Sequence, residues 1–155
     1  MTDYDPTDLE LASAFRTALR QTVFLTRRLD LDAELSAAQL SVLNMLSDEG
    51  LRVSKIAANL GVRVPSATDQ ISRLESAGLL ERRADPSDSR AVVVSLTESG
   101  RIATEQANRR RNALMAGILA RLEPRERAQL TAVMPVFDKI NSYFESPGTP
   151  GHSGN

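Results

Sequence analysis

A chain of 155 residues, 41% of them hydrophobic and 25% charged, is long enough to bury the core of one globular domain. It contains no cysteine, which excludes disulfides, thiolate zinc sites and redox sensing through cysteine. Residues 1–10 are polar and acidic and the apolar runs are short, so we expect no secretory or membrane-spanning segment. A cytoplasmic protein without a membrane partner is the resulting prediction.

Charge is distributed unevenly along the chain, although the formal net charge is only −1. Residues 1–51 hold four arginines against nine acidic residues, whereas residues 112–155 hold four basic and four acidic residues. Residues 52–111 hold eleven basic against seven acidic residues, a local charge of +4. This excess favours a nucleic-acid partner for the middle of the chain, although a solvated surface can vary in charge to the same extent.

The first predicted element is a long helix over residues 9–30, with apolar residues at helical spacing and Asp8 as its N-cap. Ser36, followed three residues later by Gln39, is the pattern of a capping box. A second helix is therefore predicted to begin there and to continue to Gly50.

Two short helices joined by a tight turn come next. Ser54 is the predicted N-cap of a helix over residues 55–60, and Gly61 is expected to end it in the left-handed conformation. Pro65 suits the first turn of the following helix, residues 64–76, because an N–H at that point would have no helical partner. This spacing is typical of a helix-turn-helix. Its second helix is expected to bury Ala67, Ile71 and Leu74.

A β-hairpin is predicted after these helices. Residues 78–83 form the first strand candidate, and residues 85–90 form the predicted loop. Four of the five residues after Arg90 are apolar, and Leu96-Thr97 then closes the strand and opens a helix. A helix-turn-helix with an attached hairpin can hold DNA with one element in each groove.

Long helices are also predicted over residues 98–122 and 124–144, and Pro135 should kink the second by removing one backbone hydrogen bond. The composition of residues 146–155 predicts a disordered tail.

Apolar stripes on the terminal helices are covered either within the chain or by a second copy. We favour a second copy, because a monomer of this size has little else to bury them against. The predicted dimerisation residues are Leu11, Phe15, Leu19, Leu130, Val133, Phe137, Ile140 and Phe144.

The residues that most enzymes need are scarce in this chain. His152, the only histidine, falls in the predicted tail, and neither a cysteine nor a glycine-rich phosphate loop is present. We therefore predict no catalytic residue, no metal site and no cofactor.

The order of these elements and several motifs resemble the MarR family of winged helix-turn-helix transcriptional regulators. The resemblance extends over roughly residues 9–144, and its most specific segment is the hairpin with the residues that follow it. The matching motifs are Asp88-x-Arg90-x-x-Val93-x-Ser-Leu96-Thr97-x-x-Gly100, Leu40-x-x-Leu43, Ile56-Ala57-x-x-Leu60-Gly61-Val62 and Arg73-Leu74-Glu75-x-Ala77-Gly78-Leu79-Leu80-x-Arg82-Arg83.

The resemblance implies a mainly α fold, in which a winged helix-turn-helix over residues 35–97 binds DNA. Residues 1–34 and 98–145 would form the dimerisation helices, ahead of the tail at 146–155. It further implies a homodimer on a pseudo-palindromic operator, with each recognition helix in a major groove and each wing in a flanking minor groove. Most such proteins are repressors, and many release DNA when a small phenolic or lipophilic effector binds.

On this basis the exposed side of the helix over residues 64–76, together with the wing and nearby cations, is predicted to contact double-stranded DNA. Hydroxyls suit phosphates or base edges, Gln70 could contact adenine if the helix turned it outward, and Arg73 could contact guanine or phosphate. Each of these residues could also belong to a solvated face. The predicted DNA contacts are Lys55, Arg63, Pro65, Ser66, Thr68, Asp69, Gln70, Ser72, Arg73, Arg82, Arg83, Asp88 and Arg90.

Two positions depart from the family pattern. Asp69 stands where many relatives have a basic residue; it could accept from cytosine, but we favour a pair with Arg73 four residues on. Ser89 replaces a common basic residue in the wing. This leaves Arg90 as the predicted minor-groove contact and Asp88 as its local partner.

A winged-helix module that binds protein without binding DNA is the alternative function. The positive middle third and the exposed hydroxyl and arginine side chains argue against it.

Overall fold

The structure is a computed structural model, and it describes residues 4–29, 33–46, 49–85 and 88–145. The side chains of Leu29, Ser89, Arg90, Phe144 and Glu145 lie outside that description, as does the predicted tail. The chain divides into two compact units, Met1–Asn112 and Ala113–Asn155. Within the described residues there are six helices and one two-stranded antiparallel sheet, so the predicted mainly α, winged-helix fold class is confirmed.

Helix α1, Pro6–Leu29, begins earlier than its apolar pattern predicted. The Asp5 carboxylate accepts a hydrogen bond of 2.8 Å from the backbone N–H of Thr7, and this bond holds the pKa of Asp5 below its ordinary value. Asp5 is therefore the N-cap, and the prediction of Asp8 was wrong. Pro6 occupies the first helical position, where its missing N–H removes no helical hydrogen bond.

Helix α2, Ala37–Asn44, begins with the predicted capping box, which is confirmed by both of its hydrogen bonds. The Ser36 N–H donates to Gln39 Oε1 at 2.9 Å, and the Gln39 N–H donates to Ser36 Oγ at 3.2 Å. The helix ends at Asn44, with Met45 as its C-cap, so the prediction that it continues to Gly50 was wrong.

Helices α3, Val53–Leu60, and α4, Val64–Ser76, form the helix-turn-helix. The bounds of α4 and the glycine C-cap of α3, with Gly61 at φ 64°, match the predictions. Ser54 was predicted wrongly as an N-cap: it lies inside α3, whose N-cap is Arg52 without a side-chain cap hydrogen bond. All three residues predicted to face inward from α4 are buried.

The wing consists of β1, Leu80–Asp85, and β2, Asp88–Leu96. The strands pair antiparallel from Leu80 opposite Leu96 to Asp85 opposite Asp88, with an irregularity between Ala84 and Asp85. Residues 85 and 88–90 therefore belong to strands, which corrects the predicted loop over 85–90. Residue 51, just ahead of α3, also joins this sheet, since Leu51 and Val94 exchange two backbone hydrogen bonds of 2.9 Å.

The hydrophobic core lies between α2, α3, α4 and the wing. Burial of these side chains drives the helix-turn-helix and the hairpin together. Within the described residues, no residue of α1 belongs to this core. The largest fully buried side chains are Val42, Leu43, Ile56, Ile71, Leu74 and Val94.

Helix α5, Glu98–Leu119, starts directly after the wing. Thr97 caps it by accepting from the Gly100 N–H at 2.9 Å, while the Thr97 hydroxyl donates to the Gly78 carbonyl at 2.7 Å. This confirms the predicted start. The helix ends three residues before the predicted 122.

Helix α6, Pro124–Glu145, matches the predicted range and runs through Pro135 as one helix. Among the described residues, no helix combines the length and the apolar character needed to cross a membrane.

Candidate nucleic-acid interface

Helix α4 presents one buried and one exposed side, as a recognition helix requires. Ala67, Ile71 and Leu74 hold the buried side against the core. The predicted contacts that are exposed on this helix are Pro65, Ser66, Asp69, Ser72 and Arg73.

Asp69 and Arg73 form the predicted ion pair, with Oδ2 and Nη2 2.8 Å apart. Four residues separate them, so they lie one helical turn apart on the same side. Both side chains remain more than half exposed, at 61% and 73%. The pair therefore leaves Arg73 N–H groups facing solvent, and the nearby carboxylate limits where the guanidinium can lie.

Thr68 and Gln70 are less exposed than the other predicted contacts of this helix. Both are only partly exposed. The Thr68 hydroxyl donates to the Val64 carbonyl at 2.9 Å, so its proton is already engaged within the helix. Gln70 Oε1 is buried and has no hydrogen-bond partner among the described residues. A bidentate contact of Gln70 with adenine would require this oxygen to turn outward.

The predicted phosphate-binding cations fall into two groups. Lys55, in the first turn of α3, and Arg63, the N-cap of α4, are exposed at the helix-turn-helix, and Arg83 is exposed on β1. Arg82 of β1 is exposed as well, and its Nε lies 3.1 Å from Glu75 Oε2 at the end of α4. This ion pair joins the first wing strand to the recognition helix.

Asp88 lies exposed at the start of β2, where its Oδ2 is 3.4 Å from Arg52 Nη2. The predicted pairing of Asp88 with Arg90 and the predicted groove contact of Arg90 concern a side chain outside the described residues.

Arg52 is a structural residue of the interface that the sequence patterns did not indicate. Its Nε and Nη2 both donate to Asp85 Oδ2, at 3.0 and 2.8 Å, and the Asp85 side chain is only 11% exposed. The hydrogen bonds and the negative charge of Asp85, with a smaller contribution from Asp88, hold the pKa of Arg52 above its ordinary value. The signal available in the sequence was the pair of closely spaced acids, Asp85 and Asp88, beside the wing turn, since neighbouring carboxylates favour a nearby cation.

The described residues contain no group of three or more His, Asp or Glu side chains placed to hold a metal ion. The features that the candidate site does offer are exposed cations, a solvent-facing helix and an adjoining wing.

Comparisons with known proteins agree with this geometry. The model of the MarR family matches residues 35–92, which include α2, α3, α4 and most of the wing. An HTH-type transcriptional regulator of Mycobacterium tuberculosis is 35% identical over 121 residues, which cover 77% of this chain and 85% of that protein. The HTH-type transcriptional repressor MdtR of Bacillus subtilis is 36% identical over 96 residues, covering 61% of this chain and 62% of MdtR.

The fold is shared with solved structures as well. A MarR family protein from Bacillus stearothermophilus superposes with a TM-score of 0.71 at 19% identity, covering 91% of this chain and 99% of that one. The helix-turn-helix, the wing and these similarities together place the chain in the MarR family of DNA-binding, helix-turn-helix transcriptional regulators.

Proposed function

We propose that this regulator acts as a homodimeric repressor of a pseudo-palindromic operator and that a small phenolic or lipophilic effector releases it. The observation that carries the DNA part is the solvent-facing side of α4, flanked by Arg63 and Arg73 and held beside a wing. Recognition helices contact base edges in the major groove, while cations on either side bind phosphates.

The dimer is supported by apolar side chains that this single chain leaves exposed. Leu11 of α1 is 69% exposed, and Leu19 of α1 and Val133 of α6 are exposed as well. Phe15 is half-buried, as are Leu130, Phe137 and Ile140 of α6. Since no α1 or α6 residue in the described part belongs to the buried core, a second copy is the proposed cover.

The proposal also assigns a role to each part of the chain. Residues 35–97 would bind DNA, and residues 1–34 and 98–145 would dimerise. Phe144, also proposed for the dimer, has a side chain outside the described residues.

Repression is proposed because MdtR, a relative at 36% identity, is named a transcriptional repressor. Release by an effector rests on the family resemblance and stays a prediction, as does the cytoplasmic location. We propose no enzymatic activity, since the relatives are named as transcriptional regulators.

The decisive experiment is selection of bound DNA from a random pool with the full-length chain, followed by footprinting and measurement of the mass of the free and bound protein. We expect a two-fold symmetric site, half-sites about one helical turn apart, roughly 10 base pairs, and one dimer per site. Binding should weaken steeply with salt. Recovery of no DNA sequence above the starting pool would refute the proposal and favour the protein-binding alternative.

A further inference from the structure

The start of the recognition helix exposes apolar side chains to solvent. Val64, its first residue, is 48% exposed, and Pro65 beside it is exposed too. No residue from 64 to 68 is charged. Val62, in the turn before the helix, is also exposed at 37%. This apolar cluster, Val62, Val64 and Pro65, is not part of the helix-turn-helix core.

Several polar groups near this cluster are buried or already have a partner within the chain. The Thr68 hydroxyl donates to the Val64 carbonyl, and the Gln70 carbonyl oxygen is buried. Asp69 is held by Arg73 at 2.8 Å, one turn further along. Among the uncharged polar side chains of residues 64–70, that of Ser66 is the fully exposed one.

The position of the cluster indicates what would cover it. Arg63 lies exposed at the N-cap between Val62 and Val64, and Arg73 lies exposed near the other end of the helix. Both cations suit phosphates, so Val64 and Pro65, which lie between them along the chain, would face the floor of the groove. The apolar group that base pairs present in the major groove is the 5-methyl group of thymine.

We infer that Val64, with Pro65 and Val62 beside it, contacts thymine methyl groups and makes thymine the preferred base at the position it faces in each half-site. The inference rests on the proposed DNA binding and adds the chemical feature that is recognised. Selectivity would then come from apolar contact more than from hydrogen bonds in this half of the helix.

The test replaces single thymines of the selected operator by deoxyuridine, which removes the methyl group and keeps the base pair. At one major-groove position per half-site we expect affinity to fall about fourfold, because the substitution removes one buried methyl group from an apolar contact. Replacement in both half-sites should lower affinity by roughly fifteenfold if the two are independent. Affinity is measured by titration at one fixed salt concentration.

Variants assign this effect to the cluster. In Val64→Ala, thymine and deoxyuridine should bind equally well at that position, while Val64→Thr, which keeps the shape and one methyl group, should retain part of the difference. Val92→Ala is the matched control, because Val92 of the wing is a valine that is 50% exposed, close to the 48% of Val64. It should leave the thymine preference intact. Thermal melting checks that each variant is folded.

Three outcomes would overturn the inference while leaving DNA binding in place. They are a selected half-site without thymine, an operator indifferent to deoxyuridine at every position, and a deoxyuridine effect that persists unchanged in both Val64 variants. Failure to select any DNA would instead overturn the proposed function itself.

Discussion

Arg52 donates two hydrogen bonds to one oxygen of Asp85, from Nε at 3.0 Å and from Nη2 at 2.8 Å, and so joins the start of α3 to the turn end of the wing strand β1. The adjacent Leu51 makes two backbone hydrogen bonds with Val94 of β2. Side-chain and backbone bonds thus connect the same two elements. We expect the wing and the helix-turn-helix to behave as one rigid body, since both elements also contribute to one core.

Replacing Arg52 should loosen the wing. In Arg52→Gln, the largely buried Asp85 carboxylate loses the charge of Arg52 and its two hydrogen bonds, so we expect operator affinity to fall severalfold. Hydroxyl-radical footprints should lose protection at the flanking minor grooves and keep it at the major grooves. Arg109→Gln removes an equally charged residue from an exposed pair with Glu105 and serves as the control. Equal losses in the two variants would show that net charge alone is responsible.

The pair of Asp69 and Arg73 should act as a unit in DNA binding. If Asp69 orients the Arg73 guanidinium, the effects of Asp69→Ala and Arg73→Ala on affinity should not add. The double variant should reveal a coupling free energy of at least about 0.5 kcal/mol. Gel-shift titrations of the four proteins measure it. Additive losses would indicate that the two side chains make independent contacts.

Arg90 is expected to contribute strongly from the wing. Arg90→Ala should lower operator affinity by more than about tenfold, because arginine binds the negative potential of a narrow minor groove. The slope of log affinity against log salt should become shallower by about one ion. Mass measurements should still show the dimer. An unchanged gel-shift midpoint would disprove the wing contact.

Gly100 is required where the wing meets α5. A Cβ at this position would collide with the Leu79 carbonyl oxygen and would also crowd the Leu79 carbonyl carbon, at 2.9 Å. We expect Gly100→Ala to destabilise the fold by about 1–3 kcal/mol, measured by chemical denaturation at fixed protein concentration. Gly117→Ala, in the same helix and with nothing within 4 Å of the added carbon, should be neutral or stabilising by up to about 1 kcal/mol. Equal effects in both variants would contradict the close-approach argument.

A charge on the α6 stripe should weaken the proposed dimer. Val133→Asp would bury an unpaired carboxylate in the interface, so we expect the dimer dissociation constant to rise by at least about tenfold. Analytical ultracentrifugation over a concentration series measures it. Val92→Asp, on the wing, is the matched variant that should remain dimeric. A Val133→Asp protein that dimerises as tightly as the original would place the interface elsewhere.

Short-range patterns predicted much of this structure. The capping box of Ser36 and Gln39, the Gly61 helix end and the Asp69–Arg73 pair all join residues three or four positions apart, so their spacing is sufficient information. The inward side of α4 followed from helical periodicity for the same reason. The start of α1 differs from its prediction although the Asp5 cap is local, because the apolar stripe begins further along the chain and so predicts Asp8 as the N-cap.

Contacts between residues distant in the chain were decided only by the tertiary structure. Arg52 and Asp85 are 33 positions apart, so no periodic pattern relates them, and their pairing follows from packing α3 against the wing. The burial of Gln70 Oε1 likewise depends on what surrounds α4. The sequence by itself determined which elements form and the family they belong to. The folded chain decided which polar side chains remain available to DNA, because burial and long-range hydrogen bonds depend on neighbours that only folding brings together.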